Sequence, residues 1–260
     1  MRRFLCLSVF AALALATHAA VAADACTKIT ATGHPHYPVI SFKEGDKLAG
    51  AAPDLVAAIA KKLNVPFESK YTGSWEEAQK AARDGKVDLI FGVYYNDARA
   101  KYLDYIKPAF MYDDVAIFVA KGKEFPFKDK NDLIGKKGVT NKGESYGNAF
   151  DAFMQDKLDV KRTNGIGEAF KDLVAGKADY LIAGYYPGEA EAAKDGLKDK
   201  VVALDQAVLT AEMFVAFSKK SPCRSLAPGF SQGITEMTTD GSFDKMLTEA
   251  QAAWDKAAHD

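Results

Sequence analysis

The stretch GKVDLIFGVYYNDAR, residues 85–99, starts as an apolar run and ends on two tyrosines, an asparagine, an aspartate, an alanine and an arginine. Its last residue, Arg99, offers the plainest chemistry in the chain. A guanidinium presents paired N–H donors in one plane that match the two oxygens of a carboxylate, a geometry lysine cannot reproduce. Binding a small carboxylate is therefore the expected use of Arg99, and a solvated surface arginine is the alternative. Further along, Gly143-Glu144-Ser145 stands between an apolar stretch and a helical one, where unpaired backbone N–H groups favour anions. Ser145 suits the role of helix N-cap equally well, and the two roles are compatible. Trp75, Tyr94, Tyr95, Tyr185 and Tyr186 offer faces for stacking and polar tips for hydrogen bonding, with core or hinge packing as the alternative.

Other chemistries lack their residues. His34 and His36, in TGHPHYP, are spaced to share an ion, but no cysteine or acidic cluster completes a metal site. No Walker sequence occurs; no catalytic residue is assigned and no cofactor is expected.

These side chains need elements to hold them, and the chain supplies one twice. QKAARDGKVDLIFGVYYNDAR (79–99) is echoed by FKDLVAGKADYLIAGYYPGEA (170–190): a helix end, a Gly-Lys-x-Asp stop, an apolar strand, a glycine (Gly92, Gly184) and a Tyr-Tyr pair. Gly85 and Gly176 stand where a helix C-cap wants a left-handed residue, and 87–93 and 180–183 suit buried parallel strands. A strand is expected at 29–32, a hairpin about Gly45-Asp46 and a helix at 53–63 with Leu55, Val56, Ile59, Ala60 and Leu63 on one face. A strand follows over 67–71, and the capping-box spacing of Ser74 and Glu77 opens a helix that runs to Arg83. The second half repeats the plan with strands at 138–140 and 160–163 and helices at 145–154 and 166–175. Crossing strands at 114–120 and 212–218 link the halves, and helices at 226–237 and 243–257 pack back on the first.

The fold class is therefore α/β, with two parallel-core mixed sheets joined by a two-strand hinge. Residues 24–115 with 216–260 form lobe 1, and 116–215 form lobe 2. Ligand crevices in such sheets lie at the carboxyl ends of the strands, so the two Tyr-Tyr segments are expected to face each other.

The chain opens with Arg2-Arg3, an apolar run to Ala16 and small residues to Ala23, the order of a cleavable secretory signal. Removing residues 1–23 takes away two of 34 basic side chains and none of 35 acidic ones, moving the formal charge from -1 to -3. That balance carries no nucleic-acid footprint. No later stretch approaches the roughly 20 apolar residues of a membrane span, so a monomer in the periplasm without stable membrane insertion is expected. Cys6 leaves with the signal. Cys26 and Cys223 remain as an even count in an oxidising compartment, where a disulfide is expected; free thiols and a lipid on Cys26 are the alternatives.

Five segments, in order, carry a resemblance: HPHYPVISFKEGDKLAGAAPDLVAAIAKKL, GKVDLIFGVYYNDAR, DLIGKKGVTNKGES, GKADYLIAGYY and TTDGSFDKML. Over nearly all of the mature chain they resemble the family 3 extracellular solute-binding proteins, the periplasmic receptors of polar amino-acid ABC transporters. The resemblance implies a two-lobed periplasmic binding protein fold of type II that closes over a free amino acid and presents it to a membrane permease. By position, Arg99 would clamp the ligand carboxylate, the Tyr94 backbone and Ser145 would add hydrogen bonds, and His36 would cover the side chain. Gly92, Tyr185 and Trp75 would line the same cleft.

The chain departs from the family at Gly184, where an aspartate usually pairs with the ligand ammonium, and at Asn96, where Ser or Thr is common. Either another acid, Glu144 or Glu189, takes over, or the ligand has no ammonium. Cyclohexadienyl dehydratases resemble these receptors and would need His36, Glu144 or Glu189 as general acid. That activity and a soluble sensor without a permease are the alternative functions.

Overall fold

The structure of the protein, a computed structural model, describes residues 26–257; the expected signal, 1–23, lies outside the described residues. In chain order the elements are β1 (Ile29–Gly33), β2 (His36–Tyr37), β3 (Ser41–Glu44), β4 (Lys47–Ala49), α1 (Ala51–Lys62), β5 (Phe67–Ser69), α2 (Trp75–Asp84), β6 (Leu89–Tyr94), α3 (Asp97–Ala100) and β7 (Leu103–Ala120). They continue as β8 (Lys137–Asn141), α4 (Asn148–Lys157), β9 (Asp159–Thr163), α5 (Ile166–Val174), β10 (Tyr180–Gly184), α6 (Tyr185–Lys194), β11 (Val201–Ala203), β12 (Leu209–Ser218), α7 (Ala227–Thr239) and α8 (Ser242–Ala257).

Two parallel groups, β5-β1-β6 and β10-β8-β9, flank the antiparallel pair β12-β7. β7 joins them into one hydrogen-bonded path, because residues up to Val115 pair with β12 and residues from Val115 on pair with β10. Val115 faces Leu209 on one side and Gly184 on the other, which makes it the point of hand-over.

β7 begins well before the expected crossing at 114. Its first part, LDYIKPAF, conceals a strand because Pro108 and scattered charges break the alternation. The pairing with β12 is irregular there: Met213 faces Met111 but Val215 faces Ile106. The intervening residues bulge out, so Pro108 needs no ladder N–H.

The local signals operate as expected around the first parallel group. α1 buries Leu55, Val56, Ile59 and Ala60 while Lys61 and Lys62 point outward. Ser74 caps α2 in a reciprocal box with Glu77, and Gly85 ends it with φ 76°. The sequence reading overlooked α6. Its YYPG start reads as a turn, yet Pro187 lies in the first helical turn, where an N–H has no intrahelical acceptor to lose. Gly188 then lets the helix lie against the Phe118 ring, where a Cβ would collide.

Cys26 and Cys223 form a disulfide across 197 residues, with Cα atoms 4.7 Å apart, inside the range such a bond needs. It ties the start of β1 to the segment between β12 and α7, and Cys223 is fully buried. Bridging so long a loop restricts the unfolded chain, worth about 2–5 kcal/mol. The Cys26→Ser/Cys223→Ser double variant is expected to melt at least several degrees lower by circular dichroism. An unchanged melting temperature would contradict that contribution.

Candidate functional site

Arg99 sits in the short turn of helix that follows β6. Asn96 caps that turn, its side-chain oxygen accepting the Arg99 backbone N–H at 2.7 Å. This cap directs the arginine side chain back under the end of the strand, where the residue is 3 % exposed. Nε donates to Gln79 Oε1 at 2.9 Å, Nη1 to the Tyr94 carbonyl at 3.0 Å and Nη2 to the Gly143 carbonyl at 3.0 Å. The Trp75 ring lies 5.3 Å from the guanidinium carbon. All three acceptors are neutral oxygens. Glu144 is the nearby negative charge, but no carboxylate is bonded to the guanidinium, and its paired donors suit an incoming one.

Gly143 belongs to the opposite side of the seam, in the loop after β8. It has φ +78°, and a Cβ there would lie 2.9 Å from Glu76 and 3.1 Å from Gln79. Glycine is thus required both for the backbone turn and for close approach to α2. Around it the two sides are stitched together. Gln79 Nε2 donates to the same Gly143 carbonyl at 3.1 Å, and Asn96 Nδ2 donates to Ser145 Oγ at 2.6 Å. The Asp97 N–H donates to Asn148 Oδ1 at 3.0 Å.

Ser145 does not cap α4, which starts at Asn148 after Gly147. Its hydroxyl instead donates to Asp151, a first-turn acid that also accepts the Tyr146 N–H at 2.8 Å. The serine still stands beside the Arg99 contact, now as a bridge to Asn96.

Two carboxylates occupy the seam, and their surroundings push them in opposite directions. Burial tends to raise the Glu144 carboxyl. Its hydrogen bond to His34 Nε2 at 3.1 Å, the charges of His34 and Arg99, and the Asn141 Nδ2 donor at 3.3 Å outweigh that and hold it low. Asp113, fully buried on β7 two residues before the hand-over, is raised to about 6. Burial is the main cause and the Asp114 and Glu144 charges add to it, while the Tyr37 and Tyr94 hydroxyls, both donating to Oδ2, work against it. Oδ1 has no hydrogen-bond partner. The two tyrosine hydroxyls also meet each other at 2.5 Å.

The remaining sequence candidates are placed as follows. His36 points outward from β2, and the neighbouring Tyr37 is the residue that turns in. His34, 3 % exposed, takes the inner position, its ring 5.2 Å from Trp75 and 5.6 Å from Tyr37. Gly92, with φ 69°, sits at the register shift between β6 and β12 and sets the bend of the strand. Tyr185 is 41 % exposed, because α6 begins immediately after β10 and carries the Tyr-Tyr pair out to a groove shared with Asp114 and Glu189. The echoed tyrosines therefore do not form the opposite wall of the seam, and Glu189 is not at hand there.

Gly184 does face the seam, lining a narrow cavity with Tyr37, Tyr94, Asn141, Glu144 and Tyr146. A larger groove of about 730 Å³, edged by Phe110, Tyr112, Tyr186, Phe243 and Leu247, does not include Arg99. Tyr37, Gln79, Asp113 and Asn141 are seam residues that sequence reading missed. The available signal was the Asp113-Asp114 pair entering an apolar strand, since alternation turns one of two adjacent acids inward.

The raised Asp113 carboxyl has a consequence for stability. The folded chain keeps a proton that the unfolded chain releases near pH 3.9, so this group's contribution is full below about pH 4 and is lost as the pH rises through 6. Asp113→Asn is expected to raise the melting temperature at pH 7.5, by several degrees for a gain on the order of 2 kcal/mol, and to leave it unchanged at pH 4. A lower melting temperature at pH 7.5 would contradict this.

Among the described residues, no helix is long and apolar enough to cross a membrane, and no three His, Cys, Asp or Glu side chains are grouped to hold a metal ion. The chain is 26% identical over 216 residues to a probable histidine-binding protein of Campylobacter jejuni, covering 82% of this chain and 80% of that one. It is 26% identical over 215 residues to the L-cystine-binding protein TcyJ of Escherichia coli, covering 81% and 77%. In fold it is similar to the amino acid ABC transporter substrate-binding protein AbpA of Streptococcus pneumoniae, solved bound to L-arginine. That match has a TM-score of 0.72 and 21% identity, over 88% of this chain and 96% of that one. Residues 29–250 match the family described as bacterial extracellular solute-binding proteins, family 3, and the chain belongs to that family.

Proposed function

We propose that the protein is a periplasmic receptor that binds an amino acid and delivers it to an ABC-transporter permease. The observation that carries this reading is Arg99, a guanidinium buried at the seam whose hydrogen bonds all go to neutral oxygens. A ligand carboxylate replaces the Gly143 carbonyl, and in part the Tyr94 carbonyl, as the acceptor of the paired Nη donors. The relatives named for histidine and cystine, and the structural neighbour solved with L-arginine, support a ligand that carries a carboxylate.

In this reading residues 24–115 with 216–260 move against 116–215 about β7 near Val115 and about β12. The signal-like residues 1–23 support export, and the permease recognises the closed monomer. Trp75 and His34 cover the bound molecule, and Asn96 and Ser145 fasten the edges.

One feature favours turnover instead: the buried His34–Glu144 pair is an arrangement that proton transfer uses. Because His34 bonds both Glu144 and Asn141 across the seam, we read the pair as a fastening of the closed form. On that reading arogenate or prephenate incubated with the protein is recovered unchanged.

The test is a thermal-shift screen of the mature chain against amino acids. At a hundredfold excess over Kd a ligand adds about 2.7 kcal/mol, roughly 5–10 °C for a chain of this size. Arg99→Lys keeps the buried charge but loses the paired donors, and Arg99→Ala loses both. Each is expected to abolish the shift. A shift that survives in both variants would contradict the assignment.

A further inference from the structure

The groove of about 730 Å³ that lies outside the seam has a packed floor and an open aromatic rim. Ile40, Phe110 and Phe243 at its base are no more than 3 % exposed, and the Phe110 and Phe243 rings meet edge to face at 5.4 Å. Tyr112 and Tyr186 on the rim are 65 % and 53 % exposed. One wall is a stripe of α8: Asp244, Leu247, Thr248, Gln251 and Asp255 recur at helical spacing and so share one face. β7 supplies the other wall, and α6 contributes Tyr186. A rigid, mostly apolar cleft of several hundred Å³ with a few polar groups is the form that small-molecule sites take.

Electrostatics selects the occupant. The charged side chains that line the groove are Asp244 and Asp255, one towards each end of the α8 stripe, and no base accompanies them. The adjoining groove shares Tyr186 and adds Asp114, Glu189 and Asp205, again without a base. Among the described residues none of these five carboxylates is in an ion pair. Their summed field repels an anion and draws in a cation. The exposed tyrosine rings act in the same sense, because the negative face of an aromatic ring attracts an ammonium within about 6 Å. The apolar floor meanwhile favours a hydrocarbon body. This chemistry is the reverse of the seam, where Arg99 presents a fixed cation.

We propose that this groove is a second ligand site, separate from the seam, for a small molecule that joins an apolar body to an amine and carries no carboxylate. The body lies on Phe110, Phe243 and Leu247, and the ammonium meets the carboxylates of the α8 stripe and the tyrosine rim.

The experiment is calorimetric titration of the mature chain, at low ionic strength, with 4-phenylbutylamine and its neutral counterpart 4-phenylbutanol. The parent is expected to bind the amine about tenfold more tightly than the alcohol. Asp244→Asn/Asp255→Asn is expected to remove most of that difference by weakening the amine alone. Tyr112→Ala is expected to weaken the amine severalfold. Leu247→Arg, which sets a guanidinium in the middle of the stripe, is expected to abolish binding of both probes while the circular dichroism spectrum stays that of the parent. The asparagine pair and Tyr112→Ala change exposed positions and decide the matter if Leu247→Arg does not fold. Equal binding of the two probes by the parent overturns the proposal, and so does amine binding that is unchanged in the variants. No amine binding also overturns it, whether sedimentation then shows the groove covered by a second copy or the chain alone.

Discussion

A buried guanidinium without a carboxylate partner organises this structure. Arg99 draws its three acceptors from α2, from the end of β6 and from the loop after β8, so satisfying it brings both sides of the sheet together at one point. That single requirement accounts for several otherwise unrelated features. Gly143 must lack a side chain so that its carbonyl can reach the arginine past α2. Gln79 both accepts from Arg99 and donates to Gly143, closing a small ring of hydrogen bonds. Trp75 offers its ring to the guanidinium and to His34, so the first residue of a well-capped helix doubles as a wall of the site.

The anions are arranged around that cation with different degrees of satisfaction. Glu144 is held ionised by His34, Arg99 and Asn141, and it links the two sides of the seam. Asp113 is deeper, on the strand that both halves share, and burial raises its carboxyl to about 6.

Much of this was legible in the sequence. The parallel strands, the capping box at Ser74 and the left-handed Gly85 all follow from local rules that the tertiary structure obeys. The misreadings have physical causes. The Tyr185-Tyr186 pair looked like a second cleft wall because it echoes Tyr94-Tyr95, but a helix starting without any loop after β10 rotates it outward. His36 was expected to cover the ligand from its position in the family, but in β2 the pleat turns Tyr37 in and His36 out, and His34, between β1 and β2, takes the inner place. Asp113 was hidden because its contact with Tyr37 needs the space left by Gly184, which is distant in sequence. An absence of side chain at one position and a charge at another cannot be joined without the β7–β10 register.

The most direct test of this account is a crystal structure of the mature chain with a bound amino acid, chosen as the one giving the largest thermal shift. The account predicts the ligand carboxylate on the paired Nη atoms of Arg99, with the Gly143 carbonyl displaced from Nη2. A bound amino acid that leaves Arg99 on the Tyr94 and Gly143 carbonyls, and does not touch the guanidinium, would contradict it.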